Sequence, residues 1–515
     1  MRRLALLVLS CLLAFPLAAQ TSGGTAVIAV AGDPGHLNPA ISTAGPLHAV
    51  AGSLFNGLVT LDEAGTPQPD LAEVWATAPD GLSVTFRLRE GVRWHDGQPF
   101  TARDVQVSFT QVLLRHHARA RAGLAPVLAA VEADGERIVI FRLNRPHPAL
   151  LRQLEVSEAP ILPAHLFDGT DPTTNPANLR PIGTGPFRFD SYRRDEQVVL
   201  TRNPAYFKPG LPRLDRLVFR IIPDANTQVN ALLAGEVDML ARVAPPDAAR
   251  LRGRGVTLME TRAVAGGSNC VMSLGFNLDR KLTGTLALRE ALALGVDRQR
   301  LLDLAAFGQG RVAAAPIASG IGWAQAPDAL APWRHDVAAA NRRLDAAGLA
   351  REAQGLRASL DIVHFPAFAR WSELLRQQLA PLGIALRVRM MDPAALAQTV
   401  FARRDFDLTL ISYCQGSDPE IGARRMVHSA AVGNVPFSNA AGYREPQVDA
   451  LFDTAAGLPA EDARGAAYRA AQAILARDLP YLWLVETDFT AAWRDRFADF
   501  APWTSQVAER AWRQP

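Results

Sequence analysis

The stretch Asp405 to Glu420, DFDLTLISYCQGSDPE, gathers side chains able to recognise a small molecule. Phe406 to Tyr413 is a short, mostly apolar run rich in strand formers, and it ends in Cys414, Gln415, Gly416, Ser417 and Asp418. In open α/β sheets ligands bind beyond the carboxyl ends of strands, and this polar loop occupies that position. Asp418 is placed to cap a helix starting near Pro419. Arg424 and Arg425 on that helix either face an anionic group or are solvated. An ordinary strand-to-helix loop is the plain alternative, because the motif is short.

Catalytic chemistry finds little support. There is no Gly-x-Ser-x-Gly elbow, no His-Glu-x-x-His and no Walker loop in the chain. His116-His117 sits on an Arg-rich helical stretch and reads as a solvated face, since a metal site needs three or four converging ligands. Neither a metal nor a cofactor is expected. Cys270 and Cys414 are the two cysteines downstream of the leader, and they read either as a disulfide or as two buried thiols. Spacing alone does not choose.

The elements that must position these groups alternate in type. Ser359 to Phe365 reads as a strand, Ala367 to Leu379 as an amphipathic helix, Ile384 to Met390 as a strand and Pro393 to Ala402 as a helix. Such alternation implies a parallel sheet covered by helices. Earlier, Thr25 to Ala31 gives a first strand and His48 to Leu58 a helix. Between Gly65 and Val156 the texture changes to short strands (Ser83 to Leu88, Arg137 to Leu143), an aromatic strand with an Asp-Gly turn at Gly91 to Phe100, and a helix capped by Thr101. Strands follow at Phe187 to Tyr192, Gln197 to Arg202 and Arg216 to Ile222, then a helix from Ala225 to Ala234 ending at Gly235.

With 515 residues the chain exceeds one hydrophobic core. Its net charge of +3 gives no electrostatic argument for nucleic acid or an anionic membrane. Met1-Arg2-Arg3, the apolar Leu4 to Phe15 and the small residues Leu17-Ala18-Ala19 form a secretory signal pattern with cleavage after Ala19. Lipidation at Cys11 is the weaker reading, since Val8-Leu9-Ser10-Cys11 matches poorly. The mature chain is expected to be exported and soluble.

Several stretches together carry a family resemblance: Leu71-Ala72-Glu73-Val74-Trp75, FRLREGVRWHDGQPFTARDVQVSF from Phe86 to Phe109, PIGTGPF from Pro181 to Phe187, Asn203-Pro204-Ala205-Tyr206-Phe207, and Asn277 to Gly310. With these the chain resembles the family-5 extracellular solute-binding proteins, the oligopeptide- and dipeptide-binding receptors of bacterial ABC importers. The resemblance implies an α/β fold of the type II periplasmic-binding-protein kind, with two α/β lobes closing over a cleft and an extra α+β domain. Residues 1–19 would be the signal peptide. Domain I would comprise 20–58, 181–269 and 485–515, domain II 59–180 and domain III 270–484, with linking strands near Arg262 to Cys270 and Val485 to Phe489.

The resemblance also gives Cys270 and Cys414 a context, because some oligopeptide-binding members carry a disulfide at matching places. It marks a departure as well. In peptide-binding members an aspartate just before the acidic-Pro pair, here Asp418-Pro419, binds the peptide's ammonium group; here Gln415, Gly416 and Ser417 stand there. Burying an ammonium without its counter-ion costs several kcal/mol. The candidate ligand contacts are Tyr413, Gln415, Gly416, Ser417, Asp418 and Arg425, with Trp323, Phe365 and Phe437 as apolar walls and His36 from the turn after the first strand. The implied function is a monomeric periplasmic receptor that captures a small polar solute, a peptide or peptide-like compound, and delivers it to permease subunits without chemistry. A receptor for a non-peptide solute (an opine, a sugar derivative or a metal chelate) is the alternative, and a secreted hydrolase a remote one.

Overall fold

The computed structural model describes residues 23–42, 44–261, 269–352, 354–433, 437–502 and 506–514. The leader at 1–19 and residues 262–268 of the expected first linker lie outside them.

Three sheets organise the described chain. The first has seven strands in the order Val256–Thr261, Phe489–Arg494, Met239–Val243, Thr25–Val30, Arg216–Ile221, Gln197–Arg202 and Phe187–Arg193. Thr25–Val30 lies at its middle, parallel to both neighbours and almost wholly buried after its first residue, as its continuous apolar run requires. The second sheet is antiparallel, in the order Ala72–Thr77, Ser83–Leu88, Ile138–Leu143 and Leu128–Asp134. Ser83–Leu88 and Ile138–Leu143 both alternate strictly between less and more buried positions, so Phe86 and Phe141 meet edge to face at 5.2 Å.

The third sheet runs Arg311–Val312, Tyr481–Glu486, Cys270–Phe276, Leu408–Cys414, Ala358–His364 and Ile384–Met390. It is mixed, not the all-parallel sheet that local alternation implies. Ala358–His364 is parallel to both its neighbours, but Cys270–Phe276 pairs antiparallel to Leu408–Cys414. That strand arrives from far upstream, so the alternation around residues 359–413 carries no information about its direction.

Local signals fix many boundaries. Asp224 accepts the Thr227 N–H at 2.7 Å to open the helix Ala225–Ala234, and Gly235 at φ 79° closes it. Asp104 accepts the Thr101 N–H at 2.7 Å at the start of Ala102–Val107. Gly183 and Gly185 of PIGTGPF press on the backbone of Leu54, where an added Cβ would stand 1.8 Å from its oxygen and 2.4 Å from its carbonyl carbon. Two expectations fail locally. The helix expected from His48 spans Gly45–Ala51, three residues earlier, with Pro46 in its first turn. The strand expected at Gly91 to Phe100 reduces to one bridge between Arg93 and Pro99 around the Asp96-Gly97 turn.

Burial forms three cores. One large core lines the six-stranded sheet and its helices, a second runs without interruption from the seven-stranded sheet into the four-stranded one, and a smaller third lies on the other face of the seven-stranded sheet with the helices Ala225–Ala234 and Pro245–Leu251. The first and second sheets therefore act as one lobe and the third as another. The chain crosses between lobes from Tyr481–Glu486 to Phe489–Arg494 with Thr487 and Asp488 between, and the Thr487 N–H donates to the Cys270 carbonyl at 3.0 Å.

Candidate functional site: the seam between the lobes

The strand Leu408–Cys414 ends at the seam, and the loop after it is organised from within. Gln415 is fully buried; its Oε1 accepts the Ala318 N–H at 2.9 Å and its Nε2 donates to the Pro316 carbonyl at 2.7 Å. Tyr413 is in the core, its hydroxyl donating to the Ser438 carbonyl at 2.9 Å. It is a packing residue beneath the sheet and not a wall of the seam. Gly416 has φ 67°, its carbonyl accepts the Asn269 Nδ2 at 2.8 Å, and Ser417 is buried beside it. Cys414 faces Cys270 in the antiparallel register and the two are disulfide-bonded, with Cα atoms 3.8 Å apart. The bond ties the root of this loop to the strand that the inter-lobe crossing contacts.

Asp418 does not cap a helix. Residues 418–422 form turns, and the helix is Ala423–Val427. Its carboxylate accepts the Glu420 N–H at 3.1 Å within the turn and is also captured from a distance: Oδ1 meets Arg464 Nη2 at 2.8 Å, with both side chains at most 1% exposed, and Oδ2 meets Arg152 Nη1 at 3.3 Å. A buried cation outcompetes the weak attraction of a nearby helix end. Arg152 belongs to the other lobe and also reaches Glu461 at 2.8 Å, so these pairs cross the seam. Arg464 lies over the Trp323 ring at 4.9 Å, and Trp323 meets Tyr468 edge to face at 5.8 Å. Tyr468 donates to Glu420 at 2.9 Å. Burial pushes Glu420 up to about 7, with the Arg424 charge opposing and Asp418 reinforcing.

The aromatic candidates split into two groups. Trp323 joins the Arg464 cluster, whereas Phe365 and Phe437 pack on each other at 6.2 Å, with Phe401 5.8 Å beyond Phe437. His36 makes a local contact, its Nδ1 accepting the Asn38 N–H at 3.2 Å. Arg424 is engaged by Asp453 and Glu420, but Arg425 is not matched in this way. One Arg425 Nη donates to the Cys414 carbonyl at 3.2 Å, and its buried Nε has no hydrogen-bond partner among the described residues.

From the first lobe, the charges of Arg119 and Glu158 act on Arg425, a grouping that spacing and composition do not reveal. Arg119 donates to the Ser157 carbonyl at 2.9 Å and stands 3.1 Å from Glu158, close enough for an ion pair but misaligned for a hydrogen bond from its Nε. Glu158 feels both Arg119 and Arg425, and burial nevertheless holds its carboxyl above the usual range. Its side chain keeps 15% exposure and that of Arg119 35%, so the pair is partly open to solvent. Burial likewise lowers Arg425. Glu155, with its carboxyl raised by burial, accepts the Ser157 N–H at 3.0 Å and its hydroxyl.

His117 corrects the solvated-face reading. It is fully buried, its Nδ1 accepts the Ala120 N–H at 3.2 Å, and its Nε2 has no partner among the described residues. Burial lowers it to about 3 and lowers His48, 6.4 Å away ring to ring, to about 4, the Arg119 charge adding to both. Both rings are therefore neutral near pH 7. No sequence signal beyond the Arg-rich stretch singles out these residues, because they come from four separate segments. Among the described residues no group of three or more His, Cys, Asp or Glu could hold a metal, and no helix is long and apolar enough to cross a membrane.

This arrangement is that of a two-lobed binder, and comparison with known proteins agrees. The family description "Bacterial extracellular solute-binding proteins, family 5 Middle" matches residues 66–434. Heme-binding protein A of Haemophilus influenzae is 28% identical, covering 90% of this chain and 87% of the relative. The glutathione-binding protein GsiB of Escherichia coli is 28% identical over 86% of this chain and 85% of its own length. The crystal structure of the ABC transporter substrate-binding protein CtaP from Listeria monocytogenes superposes with a TM-score of 0.83 at 24% identity, covering 96% of this chain and all of the other. The chain belongs to the bacterial extracellular solute-binding proteins of family 5.

Proposed function

We propose that the protein is the exported receptor of an ABC importer, trapping a peptide or peptide-like solute between its lobes and handing it to a membrane permease. The observation that carries this reading is the two-lobed burial, with Arg152 of one lobe reaching Asp418 and Glu461 of the other across the seam. Binding would draw together a first lobe made of 20–58, 59–180, 181–269 and 485–515 and a second lobe of 270–484. Residues 1–19 would be removed on export. The protein would do no chemistry on its cargo.

The similarity to a glutathione-binding protein supports a peptide-like solute, and that to a heme-binding protein supports the non-peptide alternative. Engagement of Asp418 by Arg464 and Arg152 favours the view that ordinary free-amine peptides lack their usual ammonium partner here. The test is native mass spectrometry of protein recovered from the exported fraction, combined with small-angle scattering before and after the released solute is added back. A bound peptide-like compound and a smaller radius of gyration on adding it are expected. Recovery of the solute in cleaved form would point to a hydrolase, and an unchanged radius would contradict closure.

A further inference from the structure

Resting on the reading of the two lobes as closing on a solute, we propose that Arg152 is a releasable latch that holds the lobes together and sets how far the solute-free receptor is already closed. Its backbone belongs to the first lobe. The short helical turn Leu150–Gln153 carries it between Leu150 and Leu154, both at most 1% exposed in the core that runs into the four-stranded sheet. Its guanidinium divides between the lobes. On its own side Nε donates to the Gly65 carbonyl at 3.2 Å, while on the other Nη1 meets Asp418 at 3.3 Å and Nη2 meets Glu461 at 2.8 Å. Glu461 opens the helix Glu461–Asp478, whose Tyr468, Ala471 and Leu475 lie in the core of the second lobe. The two ends of the contact are rooted in different cores, so parting of the lobes must break both pairs.

The contact can be undone because each side keeps partners once it parts. Asp418 retains Arg464 at 2.8 Å and the Glu420 N–H at 3.1 Å, both on Oδ1, and only Oδ2 passes to water entering the seam. Arg152 retains the Gly65 carbonyl, and Glu461 is 49% exposed even with the lobes together. Opening therefore orphans no buried charge, and the heavy penalty of splitting a buried pair does not apply. Ion pairs with this much solvent access contribute modestly, enough to tilt an equilibrium between two lobe arrangements without locking it. Beside the chain crossing, by contrast, Gln309 Nε2 donates to Thr490 Oγ1 at 2.6 Å, where the covalent link itself keeps the lobes near each other. Arg152 follows the strand Ile138–Leu143, so the four-stranded sheet takes part in closure through it. The more the closed form is populated beforehand, the tighter the apparent binding of a solute that selects it.

The test is made on solute-free protein, unfolded, dialysed and refolded with its disulfide intact. Wild type, Arg152→Ala, Arg152→Lys and Glu461→Gln are compared by small-angle scattering at low and high sodium chloride, with a melting curve for each. At low salt the closed-to-open ratio of the wild type should exceed that of Arg152→Ala by about threefold or more. Glu461→Gln should fall between them, and Arg152→Lys should recover part of the loss. Glu461→Gln neutralises an exposed partner without touching Asp418, so it reads the latch even where Arg152→Ala lowers stability. Salt at about 1 M should bring the wild type to the radius of gyration of Arg152→Ala and leave that variant unchanged, because screening then acts within the length of the contact. A side chain that merely packs would show no such response. A wild type no more compact than both Arg152→Ala and Glu461→Gln, or a salt response shared equally by all four proteins, would overturn the latch. With no solute present these outcomes judge the latch alone; the receptor reading stands or falls on the change of radius when the released solute is added back to the wild type.

Discussion

Asp418 and Arg425 lie seven residues apart on the same loop and helix, and the seam treats them in opposite ways. Asp418 is fully buried and both its oxygens are met by guanidinium groups. Arg425 is partly buried, keeps an Nε with no partner among the described residues and has no carboxylate in an ion pair with it there. The first is a closed network in which each charge has an opposite; the second is an open one with donors left over. Buried charges are tolerated structurally only when paired, so an incomplete set beside accessible space is the better marker of a site that expects a partner. Sequence resemblance draws attention to the neighbourhood of Asp418, but the unmet chemistry is at Arg425.

Breaking the closed network should have the largest effect. Arg464→Ala leaves Asp418 buried with the longer Arg152 contact as its only ion pair and the Glu420 N–H as its remaining hydrogen bond, and a loss of about 3–5 kcal/mol in unfolding free energy is expected, read by denaturant titration. A loss below about 1 kcal/mol would show that water or Arg152 replaces Arg464 easily. The disulfide braces the same loop from its other end. Cys270→Ser with Cys414→Ser opens a loop of 144 residues' separation and should cost about 2–4 kcal/mol, with about 5 kcal/mol the limit from chain entropy. Unchanged stability on reducing the wild-type protein would remove the brace from this account.

A smaller, pH-dependent effect tests the edge of the closed network. Glu420 rises from its ordinary 4.5 to about 7 on folding, chiefly through burial, so the folded protein holds that proton more tightly than the unfolded chain. Stability from this group is then fully present below pH 4.5 and is lost as pH climbs through 7. Arg424, Asp418, Tyr468 and, from the other lobe, Arg145 are the charged and titratable groups acting on it. Relative to Glu420→Gln, the wild type should lose about 2–3 kcal/mol between those limits. A difference that stays flat with pH would show the carboxylate to be solvated.

Local structure was legible where the cause is local. Gln197–Arg202, Ser83–Leu88 and Ala225–Ala234 occur at the expected residues, since alternation, an Asp cap and a glycine stop act within a few positions. The mixed third sheet was not legible, because Cys270–Phe276 pairs with a partner 144 residues on at its first rung. Asp418 misled for the same reason: the sequence SDPE carries a capping signal, while its carboxylate belongs to Arg464, 46 residues away. The charges around Arg425 are the extreme case. Arg119, Glu158 and Arg425 have no shared periodicity, and only the meeting of lobes brings them into one electrostatic group.

The distinction between the closed and the open network is tested most directly by measuring stability and binding of the solute recovered from exported protein together on Arg464→Ala and Arg425→Gln. The account predicts crossed results: Arg464→Ala loses stability but keeps solute binding in the protein that remains folded, and Arg425→Gln loses solute binding at unchanged stability. If both variants lose both properties in proportion, the two arginines belong to one structural unit and the seam holds no separate solute site.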